Sequence, residues 1–413
     1  GDNRPSGRLG TPLLLTDELV LELEVTSAQH EEVFLEVGLV GHGYRGFGEN
    51  ISDKSGTCNI DVVCPEGDDW RGEIASVAKY TFEGGYSCTG VMINNTAEDQ
   101  RPLFLTANHC SVDDDNIDTV IVYWNFQSPV CGAQSGGQLN QFSYADTLLA
   151  SYSTSDFKLL ELQEIPDPAF GVTYAGWDRS GDVPASAVAI HQPSGDEKSI
   201  SFEDDALHLT TYLSTVVPGN ETHLMVTNWD LGTTEPGSSG SPLFDPNHRI
   251  VGQLHGGYAA CNDPRPDWYG RFFISWEGGG TPETRLKDHL DPTDSGVMAV
   301  NRFGSVDPDP DPEPEPLPVG EMSLNFVSVI PNPFRIVTEL TYQLNQAGLV
   351  RIRIFDVRGH LVHDLGTFNG NVDESSVAWD GLDQNSRPVA AGVYIIELEA
   401  DGKQSRRKVV RLR

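Results

Sequence analysis

Between about residues 58 and 304 the chain runs in short apolar or β-branched stretches, such as Thr119-Val120-Ile121-Val122-Tyr123-Trp124 and Ala187-Val188-Ala189-Ile190, separated by Gly, Pro, Asn and Asp. Such stretches predict strands, and a long succession of them without amphipathic helices predicts an all-β barrel or sandwich. One helix is predicted near the end of this region, over 283–290. Upstream, Leu19-Val20-Leu21-Glu22-Leu23-Glu24-Val25 alternates apolar and polar positions in strand fashion, but residues 1–54 hold no Cys and no chemical constellation. They read as a prosegment or an N-terminal accessory segment. Downstream, Leu349-Val350-Arg351-Ile352-Arg353-Ile354-Phe355-Asp356-Val357 and Val393-Tyr394-Ile395-Ile396-Glu397-Leu398 alternate again, predicting a small antiparallel sandwich.

A break lies between the two β regions. Residues 307–318, DPDPDPEPEPLP, alternate Pro with acids that repel one another, so the segment is an extended spacer and cannot be core. The expected organisation is therefore 1–54, a β domain over 55–304, a linker over 305–318 and a second β domain over 319–413. Charge divides the same way. Of the formal charge of -34, none comes from 319–413, where eleven Asp and Glu meet eleven Lys and Arg.

That acidity excludes nucleic acid and anionic membrane surfaces as partners, since phosphate binding needs clustered Lys and Arg. It suits an extracellular protein that attracts cationic peptides. The six Cys, at 58, 64, 88, 110, 131 and 261, are even in number, and no paired CxxC motifs suggest zinc. Disulfides and an oxidising compartment follow, with about fifteen connectivities open. No apolar run reaches the ~20 residues of a membrane-spanning helix. The chain begins Gly1-Asp2 without Met, as expected after removal of an export signal.

The densest chemical signal is Thr234-Glu235-Pro236-Gly237-Ser238-Ser239-Gly240-Ser241-Pro242. A Ser between glycines stands exposed, and the N–H groups of Gly237 and Ser239 are suited to hold an oxyanion. A hydroxyl needs a base within reach, and Phe104-Leu105-Thr106-Ala107-Asn108-His109-Cys110 supplies an imidazole at the end of an apolar run. Ser155-Asp156-Phe157-Lys158-Leu159-Leu160 adds a carboxylate able to orient that imidazole. Each element alone is ordinary. Their order, His109, Asp156, Ser239, is that of chymotrypsin-type triads and not of α/β-hydrolases.

With Cys58-Asn59-Ile60-Asp61-Val62-Val63-Cys64-Pro65-Glu66-Gly67 and Gly252-Gln253-Leu254-His255-Gly256-Gly257, these segments resemble the bacterial lysyl endopeptidases over about 58–304. The resemblance implies a trypsin-like double β-barrel, the triad His109, Asp156 and Ser239, and disulfides joining Cys58 with Cys261, Cys64 with Cys131 and Cys88 with Cys110. An ordinary trypsin carries its pocket carboxylate six residues before the nucleophile, where this chain has Thr233. The family's pocket acid instead matches Asp267. A His matching His255 narrows the pocket, and the Trp stacked on it has only Tyr212 in the corresponding stretch, while Trp229 belongs to a different motif. Gly256 and Gly257 are expected to pair with substrate main chain.

These features imply a secreted serine endopeptidase that cuts after Lys in protein or peptide substrates, acts as a monomer and needs no cofactor. A protease of relaxed Lys/Arg preference and an inactive protease-fold surface binding protein are the alternatives. Seven Lys against twenty Arg suit a Lys-cutting enzyme that must survive itself, as they suit halophilic adaptation. Cleavage between Lys54 and Ser55 would release residues 1–54. The run Asp113-Asp114-Asp115 fits no calcium-loop spacing, and no metal is assigned. Finally, Pro331-Asn332-Pro333-Phe334, Asp356-Val357-Arg358-Gly359, Trp379-Asp380-Gly381 and Gly392-Val393-Tyr394 resemble the type IX secretion sorting domain and the immunoglobulin-like domain of hook-capping proteins. That likeness implies an immunoglobulin-like β-sandwich that engages secretion machinery and does no catalysis.

Overall fold

The computed structural model describes residues 8, 10–13, 33–38, 40, 55–304 and most of 324–412. The strand expected at 19–25, Lys54, the linker 307–318 and the landmarks Pro331, Pro333 and Val357-Arg358-Gly359 lie outside the described residues. Two compact units divide the chain, residues 1–310 and 311–413.

In the first unit β1 (Ile60–Asp61) leads into a closed six-stranded barrel of β2 (Val77–Phe82), β3 (Tyr86–Met92), β4 (Leu103–Ala107), β5 (Ile121–Tyr123), β6 (Phe142–Tyr152) and β7 (Phe157–Leu162). The barrel order is β2-β3-β4-β7-β6-β5. A ten-stranded sheet follows. Its strands are β1, β8 (Gly176–Asp178), β9 (Ala187–His191), β10 (Ser199–Glu203), β11 (His208–Thr210), β12 (His223–Val226), β13 (Pro242–Phe244), β14 (Arg249–Gly257), β15 (Asp267–Arg271) and β16 (Ala299–Val300). The main path runs β1-β10-β9-β13-β14-β15-β12-β11.

The near-continuous apolar runs of β4 and β7 have a simple cause: both strands are buried on both faces. Phe104, Leu160 and Leu162 point into the barrel with Tyr80 and Trp124. On the opposite face Leu103, Leu105, Phe157 and Leu159 join Trp177, Phe272 and Trp276 of the second half in one core. Period-two alternation thus feeds two cores instead of core and water. It also brings the end of β4 and the start of β7, where Ala107 pairs with Phe157, to the seam between the halves.

Three disulfides join Cys58 to Cys261, Cys64 to Cys131 and Cys88 to Cys110. The helix expected over 283–290 is instead a 3₁₀ turn, Pro282–Thr284, and a short helix, Lys287–Leu290, because Arg285 between them is extended at φ -144° and ψ 154°. An unanticipated helix, Phe272–Glu277, packs its apolar side against Trp177.

The second unit is a β-sandwich. One sheet holds β17 (Leu324–Ile330), β18 (Thr338–Leu344) and β21 (Ser375–Trp379); the other holds β19 (Gly348–Asp356), β20 (Leu361–Gly370), β22 (Gly392–Ala400) and β23 (Lys403–Arg411). Leu340, Tyr342 and Trp379 of the first meet Val350, Ile352, Ile354, Ile396 and Leu398 of the second in one core. Buried Glu397 is satisfied by Arg353 and Arg406. Among the described residues no helix is long and apolar enough to cross a membrane.

Candidate active site

β4 ends in a single 3₁₀ turn, Asn108–Cys110, that turns His109 outward, while the disulfide from Cys110 to Cys88 ties this turn to β3. Across the ladder, the turn between β6 and β7 carries Asp156 at φ 57°, a left-handed conformation that a short polar residue tolerates. The Asp156 main-chain carbonyl accepts from the Asn108 amide at 2.7 Å, and its Oδ1 accepts from the His109 amide at 2.9 Å. Its Oδ2 faces His109 Nδ1 at 2.7 Å. Asp156 is 2 % exposed and His109 is 37 % exposed at the side chain, so a buried charge orients a ring that opens to the cleft.

Ser239 comes from the loop before β13, in the other half, and its Oγ lies 2.8 Å from His109 Nε2. Its carbonyl accepts from the Thr89 amide at 2.9 Å, and the Thr89 hydroxyl donates to Gly237 O at 2.9 Å, so β3 clamps the loop from below. Gly237 has φ 98°, and a Cβ there would meet the Gly195 nitrogen at 2.6 Å; only glycine fits. Among the described residues neither the Gly237 nor the Ser239 N–H meets a protein acceptor.

Behind the Ser239 loop lies a residue that sequence reasoning passed over. His191 is fully buried, with Nδ1 2.8 Å from Ser238 Oγ and Nε2 3.0 Å from Ser201 Oγ. Ser201 gives its proton to Thr233 O at 2.8 Å, so His191 donates through Nε2 and accepts from Ser238 through Nδ1. Burial pushes this imidazole down to about 3, which keeps it neutral.

A buried carboxylate lies beyond Asp156, His109 and Ser239. Asp267, the first residue of β15, is 1 % exposed. Its Oδ2 accepts from Trp229 Nε1 at 2.8 Å and Thr234 Oγ1 at 2.7 Å. Among the described residues its Oδ1 has only a long contact of 3.4 Å to the Ala259 amide. A Cβ on Gly257 would come within 2.1 Å of that oxygen, so glycine there leaves it approachable. Burial raises the Asp267 pKa, opposed by the bonds from Trp229 and Thr234. Thr233 itself is buried and serves Ser201; its neighbour Thr234 is the residue that meets Asp267. That Trp229 and Thr234 meet Asp267 carried no advance signal, because the meeting exists only where separate loops come together.

His255 lies between these two centres, in β14 at a bulge between Leu254 and Gly256. Tyr212 stacks on it with centroids 3.5 Å apart and planes 1° off parallel. Gly256 adjoins, and a Cβ there would meet the Tyr212 hydroxyl at 3.2 Å. Ligand-capable atoms of His109, Asp156 and His255 lie within 4.8 Å of one another, but His109 Nδ1 and Asp156 Oδ2 are spent on each other. Asp113 and Asn116 cap their own loop, the Asp113 side chain accepting from the Asp115 amide.

At the amino-terminal edge of the described domain, the Ser55 amide donates to Asp196 Oδ2 at 2.9 Å, and the buried Ser55 hydroxyl reaches the same oxygen at 3.2 Å. Next to it Glu235 Oε1 accepts from the Gly56 amide at 2.9 Å and from Asn59 Nδ2 at 3.2 Å. Residues 55–59 therefore buttress the loop that carries Ser239.

The family model of the lysyl endopeptidase C-terminal domain matches residues 52–270, and that of the secretion system C-terminal sorting domain matches 328–411. A lysyl endopeptidase of Pseudomonas aeruginosa is 31% identical over 300 residues, covering 65% of this chain and 61% of that protein. The chain thus spans about 61% of the length of that relative. Among solved structures, a Glu endopeptidase in complex with MPD is 16% identical with a TM-score of 0.34, over 52% of this chain and 93% of that one. The active form of the Rv3671c protease from M. tuberculosis, also 16% identical with a TM-score of 0.34, covers 56% of this chain and 89% of that chain.

Proposed function

We propose, from the premise that the chain belongs to the lysyl endopeptidase family, that it hydrolyses peptide bonds on the carboxyl side of Lys. The observation that carries this reading is the unbroken line Asp156, His109, Ser239, with links of 2.7 and 2.8 Å. Ser239 Oγ attacks the scissile carbonyl while His109 Nε2 takes its proton, and Asp156 stabilises the imidazolium. The Gly237 and Ser239 amides receive the oxyanion. The imidazolium then protonates the leaving amine, and water admitted to the acyl-enzyme repeats the sequence.

Selection of Lys over Arg follows from how Asp267 is used. Trp229 and Thr234 occupy Oδ2, so only Oδ1 is left to meet the substrate. One oxygen suits an ammonium, a compact charge with rotatable donors, and wastes the two-pronged fork of a guanidinium. Gly256 and Gly257 would pair with the substrate strand beside this pocket. In a mixed peptide library the enzyme is expected to cut after Lys; comparable cutting after Arg, mapped by mass spectrometry, would overturn the assignment. Asp267→Asn is expected to lower kcat/KM at Lys sites by about a hundredfold or more, because a substrate ammonium would lose its buried partner.

The pH dependence has a defined sign. With its pKa raised by burial, Asp267 loses charge above the ordinary carboxylate range as pH falls. The KM for a lysyl ester should therefore climb in that range, while the KM for an ester with an uncharged side chain stays flat.

The protein is extracellular, secreted or cell-surface: it carries a sorting domain over 328–411 and three disulfides. That domain would engage the secretion machinery. Removal of residues 1–54 by self-cleavage at Lys54 is also proposed. The amine freed at Ser55 would find the Asp196 carboxylate at the distance its amide already holds, 2.9 Å. Intact-mass measurement tests this: wild type should lose the segment and Ser239→Ala should keep it, and spontaneous loss from Ser239→Ala would sink the idea.

A further inference from the structure

The triad is continued behind Asp156 by a line of side chains whose proton positions can be worked out from the far end. The Thr222 amide donates to the Asn220 side chain at 3.2 Å, which identifies the accepting atom as the carboxamide oxygen. The Thr222 hydroxyl lies 2.7 Å from that same oxygen and spends its only proton there. Its Oγ1 therefore has nothing to give to His223 Nδ1, 2.8 Å away, and must accept from it. A neutral His223 protonated at Nδ1 presents a bare Nε2. That atom lies 3.0 Å from His255 Nδ1, so His255 is the donor. His255 is then bare at Nε2, the atom 3.8 Å from Asp156 Oδ2.

Both rings stay neutral, because burial pushes His223 and His255 each down to about 4. The titratable groups facing His255 are Asp156 and His223 at its two nitrogens, and the rings of Tyr212 and His109, with centroids 3.5 and 5.3 Å from its own. Those facing His223 are His255 and the ring of Tyr212 at 5.4 Å.

Resting on the proteolytic reading above, we propose that His223 is a positioning residue that locks His255 in the Nδ1–H tautomer, so that the Asp156 carboxylate serves His109 alone. A His255 protonated at Nε2 would aim an N–H at Asp156 Oδ2, the oxygen that orients and stabilises His109. Each share of that carboxylate taken by a second donor weakens its hold on the imidazolium. The lock removes the competing donor without removing the ring that walls the cleft.

Two measurements separate this from a packing role. Nitrogen NMR of histidine-labelled Ser239→Ala protein reads the tautomer without turnover: His255 should be protonated at Nδ1 and bare at Nε2. Protonation at Nε2 there overturns the proposal, whether or not the protease reading stands. In the active enzyme His223→Leu is expected to lower kcat about tenfold, the scale of one lost hydrogen bond, with KM for a lysyl ester unchanged within about twofold. The acid limb of kcat/KM should move down by about half a pH unit, since a divided carboxylate supports less positive charge on His109. His223→Gln, whose amide oxygen can accept the same proton, should restore both. Equal loss in Leu and Gln variants, or loss confined to KM, overturns the lock. If His223→Leu does not fold, the tautomer in the Ser239→Ala protein and the Gln variant decide.

Discussion

Ser239→Ala is expected to lower kcat by about 10⁶ with KM little changed, because the nucleophile is lost while the oxyanion amides and the pocket remain. Among the described residues the neighbouring hydroxyls are engaged or buried. Ser238, its neighbour, is turned inward and gives its proton to buried His191, and the Ser241 hydroxyl is buried as well. Thr106, the next candidate near the β4 end, donates to Thr89 O at 2.8 Å. The checking experiment is a fluorophosphonate probe with peptide mapping. Wild type should carry a single label at Ser239 and the variant none; a labelled variant that still cleaves peptides would remove Ser239 from its role. A wild-type protein that takes no label would favour the surface-binding alternative.

Asp156→Asn is expected to cost about 10⁴ in kcat, and the route to that loss can be followed atom by atom. Asn adopts the left-handed φ of 57° readily, so the turn survives. The His109 amide donates to Oδ1 and holds an oxygen there, which forces the new NH₂ into the place of Oδ2 against His109 Nδ1. That nitrogen must then accept. The imidazole becomes protonated at Nε2, the atom that should receive the Ser239 proton, and the base is lost while the geometry is kept. Steady-state kinetics with unchanged far-ultraviolet circular dichroism would establish it. A loss under tenfold would show that Asp156 does not set the tautomer.

Much of this site was legible because its chemistry is carried by short continuous segments. The Ser239 loop needs glycine at a positive φ, His109 needs a strand end, and Asp156 needs a tight turn before β7. Each demand falls on two or three adjacent residues, so it leaves a local mark. The strand runs were legible for the same reason, alternation being a property of neighbours along the chain. The helix expected over 283–290 failed at Arg285, whose extended backbone answers to packing, with Leu286 and Leu290 fully buried in the shared core.

What stayed hidden are contacts between residues far apart in sequence. Trp229 and Thr234 meet Asp267 across separations of 38 and 33 residues, His191 reaches Ser238 across 47, and His223 reaches His255 across 32. Nothing about a lone Trp or His marks it as a partner in advance, since hydrogen-bond direction depends on what stands opposite. The amino-acid sequence by itself determined the all-β class and singled out His109, Asp156 and Ser239, which the fold brings within hydrogen-bond reach, because local backbone demands are written in contiguous residues. Only the tertiary structure decided which oxygen of Asp267 is taken by Trp229 and Thr234 and which way the protons run behind Asp156, because burial forces every donor to find its acceptor.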